Sequence, residues 1–308
     1  MRALLLAASR SSGMRRMIET LPSTRRVAER FVAGSSTRDA ISASETLVGV
    51  GLTVTVDYLG EDIVDPSQAH ATVDAYRELI HAMAAEGLNQ GNEVSVKLSA
   101  LGQSLRGAGE DFARERAREI VACAEEAGVL VTFDMEDHTT TESTLRIVED
   151  LREVTPSVGC VLQAALLRTP ADAERLAHPA SRVRLTKGAY REPASVAHQD
   201  PDAINAAYLE SLRILMRGRA YVMVASHDPF IIHSALDMAA SMDRPPASFE
   251  MQMLYGIRTG EQARIRALGH PMRVYVPYGD EWYGYFMRRL AERPANLRLF
   301  LKALSSRE

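Results

Sequence analysis

The stretch DFARERAREIVACAEEAGVLVTFDMEDH, residues 111–138, holds the unit from which the fold is built. From Asp111 to Ala127 apolar residues recur at helical spacing, as on the buried face of an amphipathic helix. Gly128 then ends the helix, and Val129–Phe133 follows as a short run of strand formers. The run closes on Asp134-Met135-Glu136-Asp137-His138, three carboxylates and an imidazole within five residues. The same alternation recurs along the chain. Further strand runs are Val48–Val56, Val94–Ser99, Gly159–Gln163, Val183–Lys187, Tyr221–Ala225, Ser248–Gln252 and Arg273–Val276. Thr141–Glu153 repeats the helical pattern, Gly87 and Gly218 end helices, and Pro271 precedes the last run. Alternating strands and helices imply a parallel sheet. Eight of them fit an α/β fold of the (β/α)8 TIM-barrel type, about 250 residues in size. Residues 1–45 read as an N-terminal helical arm and 46–308 as the barrel.

A doubly wound dinucleotide fold is the alternative. Its nearest fingerprint, Gly49-Val50-Gly51 with Val54 in the third glycine's place, falls inside a strand run and is rejected. With 46% apolar and 25% charged residues the chain is globular, and its net charge of −4 argues against nucleic-acid binding. Cys123 and Cys160 suit buried free thiols in a reducing compartment and sit in no metal-ligand spacing. Only three of the 36 basic residues are lysines, Lys97, Lys187 and Lys302. Codon bias explains the scarcity, yet Lys97 and Lys187 each follow a strand run.

Barrel chemistry sits at the C-terminal ends of the strands. There the sequence puts Lys97 and Ser99, Asp134 to His138, Gln163, Arg184 with Lys187 and Tyr190, and Ser226-His227-Asp228. Glu250, Gln252, Leu254 and Tyr255 follow, then Tyr275 and Tyr278. Seven of eight runs thus end in polar groups. Arg184 and Lys187 are three apart, so either one points outward or the strand ends between them. A last helix beginning near Asp280 carries Arg288 and Arg289, with Glu292 one turn on to hold them. Paired guanidiniums suit a substrate carboxylate.

Taken together, Val94–Ser99, Phe133–Asp137, Leu162–Ala164, Arg184–Tyr190, Ala225–His227, Gln252–Gly256, Arg273–Tyr275 and Tyr285–Glu292 resemble the proline dehydrogenase family, in its monofunctional bacterial form, over about residues 45–300. The resemblance implies a distorted (β/α)8 barrel that holds FAD, oxidises L-proline to 1-pyrroline-5-carboxylate by hydride transfer to flavin N5, and passes electrons to a membrane quinone. It implies a carboxylate clamp of Lys97, Arg288 and Arg289, with Glu292 orienting the arginines. Tyr275 and Leu254 would pack on the proline ring with Tyr190 nearby, and Asp134 would pair with Lys97. Met135, Gln163, Arg184, Lys187, Gly188, Ala189, Ser226 and His227 fall at FAD-contact positions. Arg184 is the cation expected to stabilise the reduced flavin. Asp228 departs from the family, where many members have Asn. The pathway partner implied is pyrroline-5-carboxylate dehydrogenase.

Two other classes remain open at this point: a Schiff-base lyase or aldolase using Lys97 or Lys187, and a non-catalytic ligand-binding barrel. No stretch is apolar enough for a membrane span, and the location expected is the cytoplasm, in keeping with the two free thiols. Residues 1–38 hold eight Arg against Glu19 and Glu29. They fit a solvated helical arm, or peripheral attachment to an anionic inner membrane face.

Overall fold

The computed structural model describes residues 29–60, 63 and 65–292, with side chains as far as residue 287. Its eight strands are β1 (Thr53–Tyr58), β2 (Glu93–Val96), β3 (Leu130–Phe133), β4 (Gly159–Gln163), β5 (Arg182–Thr186), β6 (Tyr221–Ala225), β7 (Phe249–Leu254) and β8 (Met272–Tyr278). Each pairs in parallel with the next, and β8 pairs with β1 to close the barrel. The helices are α1 (Thr37–Gly49), α2 (Pro66–Ala85), α3 (Gly109–Ala127), α4 (Thr141–Arg152), α5 (Thr169–Leu176), α6 (Pro201–Arg217), α7 (Pro229–Ser241), α8 (Thr259–Ala267) and α9 (Trp282–Glu292).

Local chemistry sets the helix starts. Asp65-Pro66, Asp200-Pro201 and Asp228-Pro229 open α2, α6 and α7, with the aspartate accepting from a first-turn backbone N–H and the proline pre-set for helix. The strands divide their residues by face. Val54, Val94, Val131, Val183, Val222 and Val274 are buried in the core shared with the helices. The alternate positions carry Thr55, Glu93, Thr132, Arg182, Arg184, Glu250 and Arg273, which bond to one another across the interior. Barrels of this type normally fill that space with branched apolar side chains; here much of it is an ion-pair network.

The first strand begins at Thr53 rather than Val48. Val48 and Gly49 complete α1, and Val50 is 64% exposed in the turn that follows. Valines fit a strand by propensity, but here the buried helix face of Ala40, Ile41 and Ser44 takes precedence. The Gly49-Val50-Gly51 triplet is therefore a helix-end turn, not part of a strand. The break expected at 45/46 falls inside α1. Trp282, rather than Asp280, opens α9. Cys160 is buried, whereas Cys123 is only partly so.

Helix α1 shapes the site indirectly. It packs against β8 and β1, the place where a helix after β8 ordinarily closes the outer ring. Helix α9 instead joins a separate apolar cluster, in which Tyr283, Tyr285, Phe286 and Met287 meet Phe31, Val32, Leu59 and Ile257. The segment before α1 is held at the same end. Ala33 N–H donates to Pro277 O at 2.9 Å, and Gly279 N–H to Gly34 O at 3.0 Å. Gly256 permits this approach: its φ is +69°, and a Cβ there would lie 1.7 Å from Arg30 O.

Candidate active site

A cavity of about 640 Å³ opens at the C-terminal ends of the strands. On one wall, Lys97 Nζ donates to both oxygens of Asp57, at 2.9 and 2.8 Å, and lies 3.6 Å from Asp134 Oδ2. Asp134 is the hub. Its Oδ1 accepts from Arg184 Nη1 at 2.7 Å and Ser95 Oγ at 2.8 Å, and its Oδ2 accepts from the Tyr275 hydroxyl at 2.7 Å. Burial, then the charges of Asp134 and Asp57, pushes the Tyr275 phenol well above its usual range, so it stays a donor. Burial likewise raises the Asp57 carboxyl, against the pull of Lys97.

Arg184 is 3% exposed and reaches this wall from inside the barrel. Its Nη2 donates to Glu93 Oε1 at 2.6 Å, and its guanidinium lies 5.4 Å from the Tyr275 ring centroid. Its Nε is buried with no hydrogen-bond partner among the described residues. Burial alone would raise the Glu93 carboxyl, but Arg273, Arg184 and Arg182 outweigh it and hold that group well below the usual carboxylate range.

The opposite wall comes from the ends of β4 to β7. Strand β5 ends at Thr186, so Lys187 turns out of the sheet and also reaches the cavity, where its Nζ donates to Asp228 Oδ2 at 2.6 Å. Asp228 also caps α7 by accepting from Phe230 N–H at 3.0 Å. Burial opposes its ionisation, but the Lys187 and Phe230 bonds prevail and lower its carboxyl below the ordinary value. The Gln163 amide donates to Glu136 O at 2.6 Å, which fixes its orientation. His227 Nε2 accepts from Leu254 N–H at 2.9 Å, so that nitrogen carries no proton. Met135, Gly188, Ala189, Tyr190, Ser226, Leu254 and Tyr285 also line the cavity.

Lys97, Asp134, Tyr275, Arg184, Lys187, Gln163, Met135, Gly188, Ala189, Tyr190, Ser226, His227 and Leu254 thus meet around one cavity. The side chains of Arg288, Arg289 and Glu292 lie outside the described residues. Two residues absent from the sequence reading are central to the wall. Asp57 escaped notice because the first strand was expected to end at Val56, one residue short of it. It supplies the polar group near the C-terminal end of β1, the one run for which the sequence reading had none. Glu93 escaped because it stands at the start of β2, where barrel residues ordinarily serve stability. A signal was present: Thr53-Val54-Thr55-Val56-Asp57 and Glu93-Val94-Ser95-Val96-Lys97 both alternate strictly, so the polar residues of each share one face.

Buried carboxylates paired with an ammonium and a guanidinium, at the C-terminal mouth of a closed (β/α)8 barrel, define an enzyme of the barrel class. Residues 40–300 match the family model described as proline dehydrogenase. The chain is 38% identical over 281 residues to proline dehydrogenase 1 of Bacillus subtilis, covering 91% of each. It is 39% identical over 275 residues to proline dehydrogenase of Deinococcus radiodurans, covering 88% of this chain and 87% of that one. Among solved structures, proline utilization A from Bdellovibrio bacteriovorus, inactivated by N-propargylglycine, superposes with a TM-score of 0.80 at 24% identity. That match covers 87% of this chain and 33% of the longer protein, and it bears on the fold alone. The chain belongs to the proline dehydrogenase family.

Proposed function

We propose that the protein oxidises L-proline to 1-pyrroline-5-carboxylate with FAD as its cofactor and a quinone as the final electron acceptor. The observation that carries this reading is the Lys97–Asp57–Asp134–Tyr275 cluster on the same cavity wall as Arg184, whose buried Nε lacks a partner among the described residues. A buried donor without a protein partner marks a point that the wall by itself does not satisfy. The opposite wall suits a flat polar group. Gly188 has φ +106°, and a Cβ there would press on Ala165 Cβ at 3.2 Å and Gln163 Oε1 at 3.3 Å. The residues therefore fit FAD, with Arg184, Lys187, Gly188 and Ala189 holding it together with Met135, Gln163, Ser226 and His227. When bound, FAD supplies the acceptor for the hydride leaving proline, the flavin N5.

The remaining work falls to the chain itself. Lys97, Arg288 and Arg289 bind the substrate carboxylate, and Glu292 orients the two arginines. Leu254 and Tyr275 pack on the ring and Tyr190 covers it, which excludes water. Asp134, fixed by three donors, keeps Lys97, Arg184 and Tyr275 in register. The Schiff-base alternative is disfavoured because that chemistry needs a neutral amine. Lys97 is instead bound between two carboxylates, and Lys187 is bound to Asp228.

The test is an anaerobic absorption spectrum of the purified protein before and after proline. A flavin chromophore that bleaches on addition is expected; a colourless protein, or a spectrum unmoved by proline, refutes the reading. Gly188→Ala tests the cradle directly. Its positive φ and close neighbours disfavour a side chain by about 1–3 kcal/mol, and FAD affinity by fluorescence titration is expected to fall about tenfold or more, since 1.4 kcal/mol is a tenfold change.

The same reading places the protein in the cytoplasm, peripheral to the inner membrane face, with pyrroline-5-carboxylate dehydrogenase consuming its product. No helix among the described residues is long and apolar enough to cross a membrane. Residues 1–28 lie outside the described residues and hold six Arg against Glu19 alone. Deleting them is expected to lower binding to anionic liposomes; unchanged binding removes the arm from the account. The deletion stops at residue 28 because Phe31 and Val32 pack against α9.

A further inference from the structure

We propose that Glu93 is a positioning residue that sets the orientation and the net charge of Arg184 at the cavity. The inference rests on the FAD-binding reading above. Glu93 has no exposed surface and stands on β2, three strands away from β5 around the barrel, so its bonds to β5 cross the interior. Its two oxygens are divided. Oε1 accepts from Arg184 Nη2 at 2.6 Å and Thr55 Oγ1 at 2.6 Å; Oε2 accepts from Arg182 Nη2 at 2.9 Å and Thr132 Oγ1 at 2.8 Å. The two threonines fix the plane of the carboxylate, and the carboxylate in turn fixes the guanidinium. Arg273 is the third cation nearby, at 4.0 Å, but its short contact is with Glu250 at 2.6 Å. The charge of Glu93 is thus shared among three cations, with direct hydrogen bonds only to Arg184, which lines the cavity, and Arg182, which does not.

A buried ion network is a poor stability device, because desolvation offsets most of the attraction and apolar packing often serves as well. A network with a branch at the cavity is better understood through its effect there. Its logic gives two substitutions opposite signs. Removing the Glu93 charge leaves Arg184 less neutralised, which favours a reduced, anionic flavin. Removing Arg182 gives Arg184 a larger share of the Glu93 charge, which disfavours it.

The experiment is an anaerobic dye-coupled titration of the FAD midpoint potential in the wild-type holoenzyme, Glu93→Gln, Glu93→Asp and Arg182→Met, with steady-state proline kinetics alongside. Glu93→Gln is expected to raise the potential and, by misplacing Arg184, to slow turnover by up to about 10²-fold. Glu93→Asp, which keeps the charge, is expected to return the potential towards wild type. Arg182→Met is expected to lower it. A purely structural role for Glu93 would change stability without opposed shifts. The proposal is overturned if Glu93→Gln holds FAD at the wild-type potential, or if Glu93→Gln and Arg182→Met move it in the same direction. Should Glu93→Gln not fold, Arg182→Met decides the matter, and an unchanged or raised potential overturns the proposal. A wild-type protein without a proline-bleached flavin would defeat the functional reading instead, before any variant is compared.

Discussion

Replacing Lys97 by Met is expected to cost about 3–5 kcal/mol of folding stability and to reduce proline turnover by about 10²-fold or more. The stability loss comes from Asp57. Its side chain is 1% exposed, and both its oxygens accept from Lys97 Nζ. Without the ammonium, a buried carboxylate that burial already drives towards its neutral form loses its main compensation. The turnover loss has a different origin, the removal of a fixed positive charge beside the proposed substrate carboxylate. The two effects separate in the double variant Lys97→Met with Asp57→Asn. That protein has neither charge to bury and is expected to regain most of its stability in urea unfolding while staying inactive. A double variant that turns over proline normally would remove Lys97 from the substrate site. A stable single variant would mean that Asp57 does not depend on it.

Arg184→Met is expected to have the second large effect, slowing flavin reduction by proline about 10²- to 10³-fold in stopped-flow measurements. Arg184 makes charge-assisted bonds to Glu93 and Asp134 and a third bond to Ser95. Methionine fills part of the volume and satisfies neither carboxylate, so a stability loss of about 3–5 kcal/mol accompanies the slower reduction. Arg184→Lys separates charge from shape. Lysine restores a cation but lacks the planar fork that lets one side chain reach both carboxylates. It is expected to recover part of the stability and little of the rate. Wild-type reduction kinetics in Arg184→Met would take this residue out of the redox step.

Much of the barrel was legible because it is written locally. Each strand run is short, each is followed by a segment of helical spacing, and glycine or Asp-Pro marks many of the borders. The position of β1 was not, because Val48 to Val56 contains residues that suit either a helix end or a strand. The choice was made by what α1 packs against, β8 and β1, and β8 lies more than 200 residues along the chain. The same helix occupies the eighth outer position and leaves α9 to pack beside the mouth, an exchange with no local mark in the sequence.

The site divides in the same way. Lys97, Asp134 and Lys187 could be read as candidates because each directly follows a recognisable strand, and Arg184 and Tyr275 because they are polar residues within such runs. Which of them touch could not. Lys97 donates its hydrogen bonds to Asp57, 40 residues earlier, and Arg184 donates to Glu93, 91 residues earlier. By itself the sequence determined the order of strands and helices, the polar character of the strand ends and the family, since these depend on residue type at short spacing. The tertiary structure alone decided the pairings inside the barrel. Closure brings β2 and β5 to face each other across an interior where charges are desolvated, and partners there are chosen by geometry and the need to neutralise charge, not by distance along the chain.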